Sequence, residues 1–110
     1  MPAPLISDIL SDLVEEIVYL LQGTGAEGLE QQLRALRIES ICDCGDENCA
    51  SFATASVVKV ANVVELQPIE GHLILDLNDA DEICFVEVLN RPDVQYLLEE
   101  YYPPGASPRS

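Results

Sequence analysis

Three of the four cysteines lie within eight residues, at Cys42, Cys44 and Cys49, and they are the residues best suited to chemistry. Zinc binds thiolates in tetrahedral groups of four, and Cys84 or His72 could supply the fourth ligand. The spacing is CxC followed by a third cysteine, not two CxxC pairs, so reduced thiols or an adventitious disulfide stay open as alternatives. The sequence therefore predicts a candidate structural zinc site at Cys42, Cys44, Cys49 and Cys84.

Catalysis by these cysteines is disfavoured by their surroundings. A reactive thiolate needs a helix N-terminus, a nearby cation or a CxxC geometry, whereas the neighbours here are Asp43, Asp46 and Glu47. The single histidine, His72, has no evident nucleophile beside it. No nucleophile elbow, phosphate-binding glycine loop or HExxH motif occurs. We therefore predict that the chain is not an enzyme.

The charge balance is strongly acidic. Five Lys and Arg stand against 20 Asp and Glu, which gives a formal net charge of −15 over 110 residues. Such a charge repels phosphate backbones and anionic membranes, so neither nucleic acid nor membrane is an expected partner. It favours a basic protein partner, although acidity for solubility alone is the alternative. Two acidic loops could form one face for that partner, through Asp43, Asp46, Glu47, Asp79, Asp81 and Glu82.

The N-terminal segment indicates the compartment. It has no basic region and no cleavage-site pattern, so no secretory signal is expected. The apolar stretch 5–21 contains four carboxylates, which is incompatible with a transmembrane helix. We predict a cytoplasmic protein, in which thiols stay reduced.

Apolar residues at helical spacing predict two N-terminal helices, over 5–22 and 26–36. The first has a broad apolar face that suits packing on a sheet and could also form a homodimer, with a coiled-coil seam as the weaker alternative. Thr24 and Glu27 have the spacing of a capping box, and Glu30 precedes Arg34 by one turn.

Alternating or valine-rich segments predict five strands, over 37–44, 50–55, 57–66, 72–78 and 83–89. A last helix follows, with Asn90 as its N-cap and Pro103 beyond its end. The predicted fold is α+β: an N-terminal helical hairpin and a C-terminal helix packed on an antiparallel four- to five-stranded sheet. Residues 1–102 form one predicted domain, and 103–110 a disordered tail.

Two stretches resemble known sequences. The Cys-x-Cys-Gly segment running into Cys49-Ala-Ser-Phe-Ala-Thr, followed by Leu73-Ile-Leu-Asp-Leu and Val86-Glu-Val-Leu-Asn-Arg-Pro-Asp, resembles small bacterial proteins of unassigned function. The hairpin 73–90 is similar to a small domain family whose last strand follows a glycine, where this chain has Phe85. The resemblance spans about half the chain and implies an α+β sheet fold, with no activity attached.

The sequence therefore favours a small acidic binding protein with a basic protein partner. An immunity or inhibitor protein that acts against a cationic toxin is the concrete form of this hypothesis. The competing class is a zinc-stabilised structural module built on the cysteine cluster.

Overall fold

The computed structural model describes residues 4–42 and 49–101. Its helices are α1 (Ile6–Ile9), α2 (Ser11–Leu21), α3 (Leu29–Ala35) and α4 (Pro92–Tyr101). Its strands are β1 (Ser40–Ile41), β2 (Phe52–Ala53), β3 (Asn62–Leu66), β4 (His72–Leu77) and β5 (Ile83–Leu89). All five strands pair antiparallel in the order β1-β2-β5-β4-β3. The predicted α+β fold, with helices before and after an antiparallel sheet, is confirmed.

The core lies between the helices and one face of the sheet. Leu73 and Leu75 on β4 and Val86 and Val88 on β5 are fully buried there. The helices contribute apolar side chains at helical spacing: Leu13, Val14, Ile17 and Leu21 from α2, Leu33 from α3, and Val94 and Leu98 from α4. Each such side chain contributes roughly 1.5–3 kcal/mol by leaving water. No helix among the described residues has the length and apolar character needed to span a bilayer.

The first helix is broken, which the sequence did not predict. Leu10 has φ −121° and ψ 49°, so the predicted helix 5–22 divides into α1 and α2 at this residue. Leu10 is fully buried in the core. Its side chain therefore fits the apolar periodicity on either side, and the periodicity carries no signal of the break.

The helical hairpin of α2 and α3 is tied by Arg34. Its guanidinium contacts Glu30 at 3.2 Å, which confirms the predicted pair, and Glu15 on α2 at 2.8 Å. The predicted capping box is wrong in its partners. The Glu27 carboxylate accepts from the N–H of Gly23 at 2.8 Å instead, and α3 begins only at Leu29. Hydrogen bonds from its own N–H and from those of Gly23 and Gly25 lower the pKa of Glu27.

The strand predicted over 57–66 is shorter than expected. Only Asn62–Leu66 forms β3, and residues 57–61 are exposed and outside the sheet. Asn62 pairs with Leu77, the last residue of β4, after which the chain turns. The N–H of Ala61 still donates to Leu77 O at 2.8 Å, but residues 57–60 lie beyond the end of β4 and outside the sheet, whatever their β-propensity.

The strands β1 and β2 are also shorter than the predicted 37–44 and 50–55. Arg37 forms an isolated bridge to Leu5 outside the strands, and Cys44 lies outside the described residues. The predicted tail 103–110 lies outside them as well.

The β4–β5 hairpin is confirmed, with one irregularity that changes the side of the sheet on which Ile83 lies. Asp76 pairs with Phe85, whereas Leu77 pairs with Ile83, so Cys84 is an extra residue on β5. Ile83 therefore shares the core face with Leu77, although simple alternation places it opposite Val86.

The start of α4 differs from the prediction. Asn90 has φ 57°, in the left-handed region, and the helix begins at Pro92. An N-cap residue has an extended backbone, so Asn90 ends the preceding turn and is not the cap. Asparagine adopts this left-handed backbone more readily than most residues do.

Candidate functional site

The face of the sheet opposite the helices is largely uncovered among the described residues. Apart from the buried Ala53 opposite Phe85, the strand register places on it a set of side chains that are exposed or half-buried, with Asp76 as their buried exception. They are Val63, Glu65, His72, Ile74, Asp76, Phe85, Glu87 and Leu89. We call this surface the open face.

Four of these side chains form a square at its centre. Asp76 lies directly opposite Phe85, and Ile74 directly opposite Glu87. Directly opposed Cβ atoms are about 5 Å apart, and diagonal ones are still within reach of long side chains. The two carboxyl groups thus occupy one diagonal and the two apolar groups the other. The alternation in the sequence already pointed Asp76 and Glu87 away from the core, but only the register makes them neighbours.

Asp76 is the most unusual group on the open face. The residue is 5% exposed, and its Oδ1 atom has no hydrogen-bond partner in the structure described here. Burial, together with a hydrogen bond to Glu87 and the charge of Glu87, raises the pKa of Asp76 to about 7. A buried acceptor left unpaired costs about 1–3 kcal/mol, which binding of a donor would recover.

The turn between β4 and β5 presents the predicted residues Asp79, Asp81 and Glu82, all exposed. Asn78 fixes its shape: its Oδ1 accepts from the N–H of Ala80 at 2.9 Å and of Glu82 at 3.0 Å. Its Nδ2 donates to Glu82 Oε1 at 3.1 Å. These three carboxylates are therefore held on a defined loop, which we call the acidic turn.

The second predicted acidic segment, with Asp43, Asp46 and Glu47, lies outside the described residues. The residues that flank it are described. Cys42 donates its N–H to Ser51 O at 2.9 Å, and Cys49 pairs with Leu89 at the end of β5. The acidic turn precedes Ile83, the first residue of β5. At the usual rise per residue of a strand, Ile83 is about 20 Å from Leu89, the last residue of β5. The flanks of the two segments thus lie at opposite ends of the sheet, and the open face lies between them.

The cysteines are also separated along the sheet. Cys84 is fully buried, and its Sγ donates to the backbone oxygen of Asp76 at 3.5 Å. It precedes Leu89, the partner of Cys49, by five residues, which is about 16 Å. Zinc–thiolate bonds are about 2.3 Å, so one ion cannot contact both sulfurs in this arrangement. His72 also pairs with Leu89, so it lies at the Cys49 end of the sheet.

No group of three or more His, Cys, Asp or Glu side chains within 4–42 and 49–101 is placed to hold a metal ion. Cys44 is not in those ranges, so the zinc hypothesis stays a prediction. It predicts that native mass spectrometry shows one bound zinc that a chelator removes, with a lower thermal midpoint afterwards.

Two variants test which cysteines bind the metal. Cys49→Ser should abolish the bound metal, whereas Cys84→Ala should retain it, since Cys84 is a core thiol at the far end of β5. An unchanged mass and an unchanged thermal midpoint after chelation would contradict the zinc hypothesis.

The predicted homodimer surface on the first helix is largely used within the chain. The apolar side chains of α2 pack into the core, and Tyr19, at 76% exposed, is its large apolar residue that faces outward. Self-association stays a prediction.

Comparison with protein-family models, curated proteins and solved structures finds no match for this chain. The resemblance to small bacterial proteins therefore also stays a prediction.

Proposed function

We propose that this chain is a small acidic binding protein whose open face and acidic turn engage a basic protein partner. In its concrete form, the proposal is an immunity or inhibitor protein that neutralises a cationic toxin. The supporting observation is the open face itself: within 4–42 and 49–101, no helix covers this side of the sheet, and it carries carboxylates beside half-exposed apolar side chains. The cytoplasm as its location, and the lack of enzymatic activity, are part of the proposal.

The distribution of ion pairs supports an anionic binding surface. Arg34 on α3 is held by Glu15 and Glu30, and Arg91, just before α4, is held by Glu16 and Asp93. These cations are committed to carboxylates on the helical side of the molecule. The carboxylates of the open face and the acidic turn are not neutralised by them. An uncompensated field of one sign attracts a partner of the opposite sign and speeds its association.

The apolar side chains of the open face supply the second component of an interface. Val63 on the edge strand β3 is 53% exposed, and Ile74 and Phe85 are half-buried at the centre. Interfaces between proteins commonly combine an apolar centre with a polar or charged rim. A partner that covers this face would remove these groups from water while its basic residues meet the carboxylates.

Neutralising the acidic turn should weaken binding without altering the fold. The variant Asp79→Asn, Asp81→Asn, Glu82→Gln removes three charges but keeps the hydrogen-bonding shapes, and asparagine tolerates the φ of 60° at position 81. At low salt, we expect about tenfold weaker binding of the basic partner, from three exposed charge pairs. Isothermal titration calorimetry against the partner isolated at low salt measures this.

The matched control removes three charges from the helical side: Asp12→Asn, Glu99→Gln, Glu100→Gln. These residues are exposed on α2 and α4. If both triple variants lose affinity equally, the acidic turn is not the contact. If no partner is found whose binding weakens as salt rises, the proposed function fails.

A zinc-stabilised structural module is the second proposal, motivated by the cysteine cluster. The chelator experiment above tests it independently of any partner.

A further inference from the structure

We infer that Asp76 and Glu87 form a subsite on the open face for the guanidinium group of an arginine that the basic partner inserts. This inference rests on the proposed function and adds to it the identity of the recognised side chain and its place on the surface.

Asp76 is 5% exposed, yet its Oδ1 atom accepts no hydrogen bond in the described structure. Buried carboxylates are nearly always hydrogen-bonded, and one that is not is suited to receive a donor from outside the chain. Glu87, beside it, is only half-buried, so the pair opens to the surface through Glu87. A ligand that approaches there meets two carboxyl groups in succession.

The shape of the square favours arginine. A guanidinium has five N–H donors in a planar fork and can bridge two carboxylates, whereas an ammonium is a compact point charge. Phe85 lies directly opposite Asp76 and two residues from Glu87 on the same face. A guanidinium between the carboxylates would therefore also contact an aromatic ring, an arrangement that arginine uses more often than lysine does.

A metal ion fits this place less well. Two carboxylates form the pair, and no third His, Cys, Asp or Glu within the described residues completes a metal-binding group. Calcium takes six to eight oxygen ligands, and magnesium requires near-octahedral geometry. A guanidinium needs only the two groups present.

The inference is tested with hexa-arginine and hexa-lysine peptides as probes, at low salt and about pH 8, by NMR titration of the whole chain. We expect hexa-arginine to bind about tenfold more tightly than hexa-lysine, because of the added bidentate hydrogen bonds. We expect its largest backbone shift changes at Asp76, Phe85 and Glu87.

Three variants locate the effect. Asp76→Asn and Glu87→Gln should each abolish the preference for arginine. Glu65→Gln is the matched control, since it removes one charge from the same face at the position opposite Ile74. It should lower the affinity for both peptides slightly and leave the preference intact.

The outcomes separate this inference from the proposed function. Equal binding of the two peptides, or shift changes confined to the acidic turn, would overturn the arginine subsite and leave the acidic binding surface standing. A preference that survives Asp76→Asn would also overturn it. If neither peptide binds, both the subsite and the proposed function fail.

Discussion

Replacing Asp76 with asparagine is expected to stabilise the protein much more at pH 8 than at pH 5. The pKa of Asp76 is raised from the ordinary 3.8 to about 7 in the folded chain, chiefly by burial and secondarily by Glu87. The native state therefore holds this proton more tightly than the unfolded state does. The free energy of unfolding falls as pH rises from about 4, and the loss is complete above the folded-state pKa. A shift of this size corresponds to about 4 kcal/mol in all, of which about 3 kcal/mol falls between pH 5 and pH 8.

Urea unfolding of the wild-type chain and of Asp76→Asn between about pH 5 and pH 8 measures the effect. The stability advantage of the variant over wild type should grow by about 3 kcal/mol from the lower end to the upper end. Asp79→Asn, the same change at an exposed position in the acidic turn, is the control and should follow the wild-type pH profile. Parallel profiles for wild type and Asp76→Asn would show that Asp76 ionises normally.

The second large effect is expected from comparing the adjacent residues Glu15 and Glu16, which pair with different arginines and differ in exposure. Glu16 accepts two hydrogen bonds from Arg91, at 2.8 and 2.6 Å, and Arg91 is only 7% exposed. Hydrogen bonds from the Arg91 guanidinium to Glu16 and Asp93 raise the pKa of Arg91 above its ordinary value. Removing one partner of a buried charge leaves that charge under-compensated, so Glu16→Gln should cost about 3 kcal/mol.

The aliphatic part of the Arg91 side chain packs closely on Gly71, which has φ +69°. A Cβ at position 71 would come within 2.9 Å of Arg91 Cγ and 2.4 Å of Leu89 O. This close approach fixes the stem of the side chain, and Glu16 and Asp93 hold the guanidinium at its end.

Glu15→Gln is the matched control for this measurement. It makes the same change one residue earlier, where the partner Arg34 is largely exposed. Exposed ion pairs contribute little, so its urea midpoint should stay at the wild-type value. The urea midpoints of Glu16→Gln and Glu15→Gln, measured at the same pH and salt, show whether the buried ion pair contributes more than the exposed one. Equal losses for both variants would mean that Arg91 finds compensation elsewhere, for example at Asp93.

The sequence by itself determined the kind of each element and the class of the fold. Helical spacing of apolar residues located the N-terminal helices, and strict alternation located β4 and β5 to within a residue. Such periodicity is readable because it reflects which side of an element meets the core, a local property of the chain. The acidity was equally a matter of composition, and the exclusion of nucleic acid as a partner stays a prediction.

Only the tertiary structure decided which residues meet. The extra residue at Cys84 sets the register that makes Asp76 and Glu87 diagonal neighbours, and no local pattern encodes a register. The Glu16–Arg91 pair joins positions 75 residues apart. Residues 57–61 lie outside the sheet because β4 ends at Leu77, despite their valines. The cysteine cluster looked like the obvious chemical site, yet Cys84 and Cys49 lie at opposite ends of β5. The candidate site on the open face depends on long-range strand pairing, which the sequence specifies only through the fold.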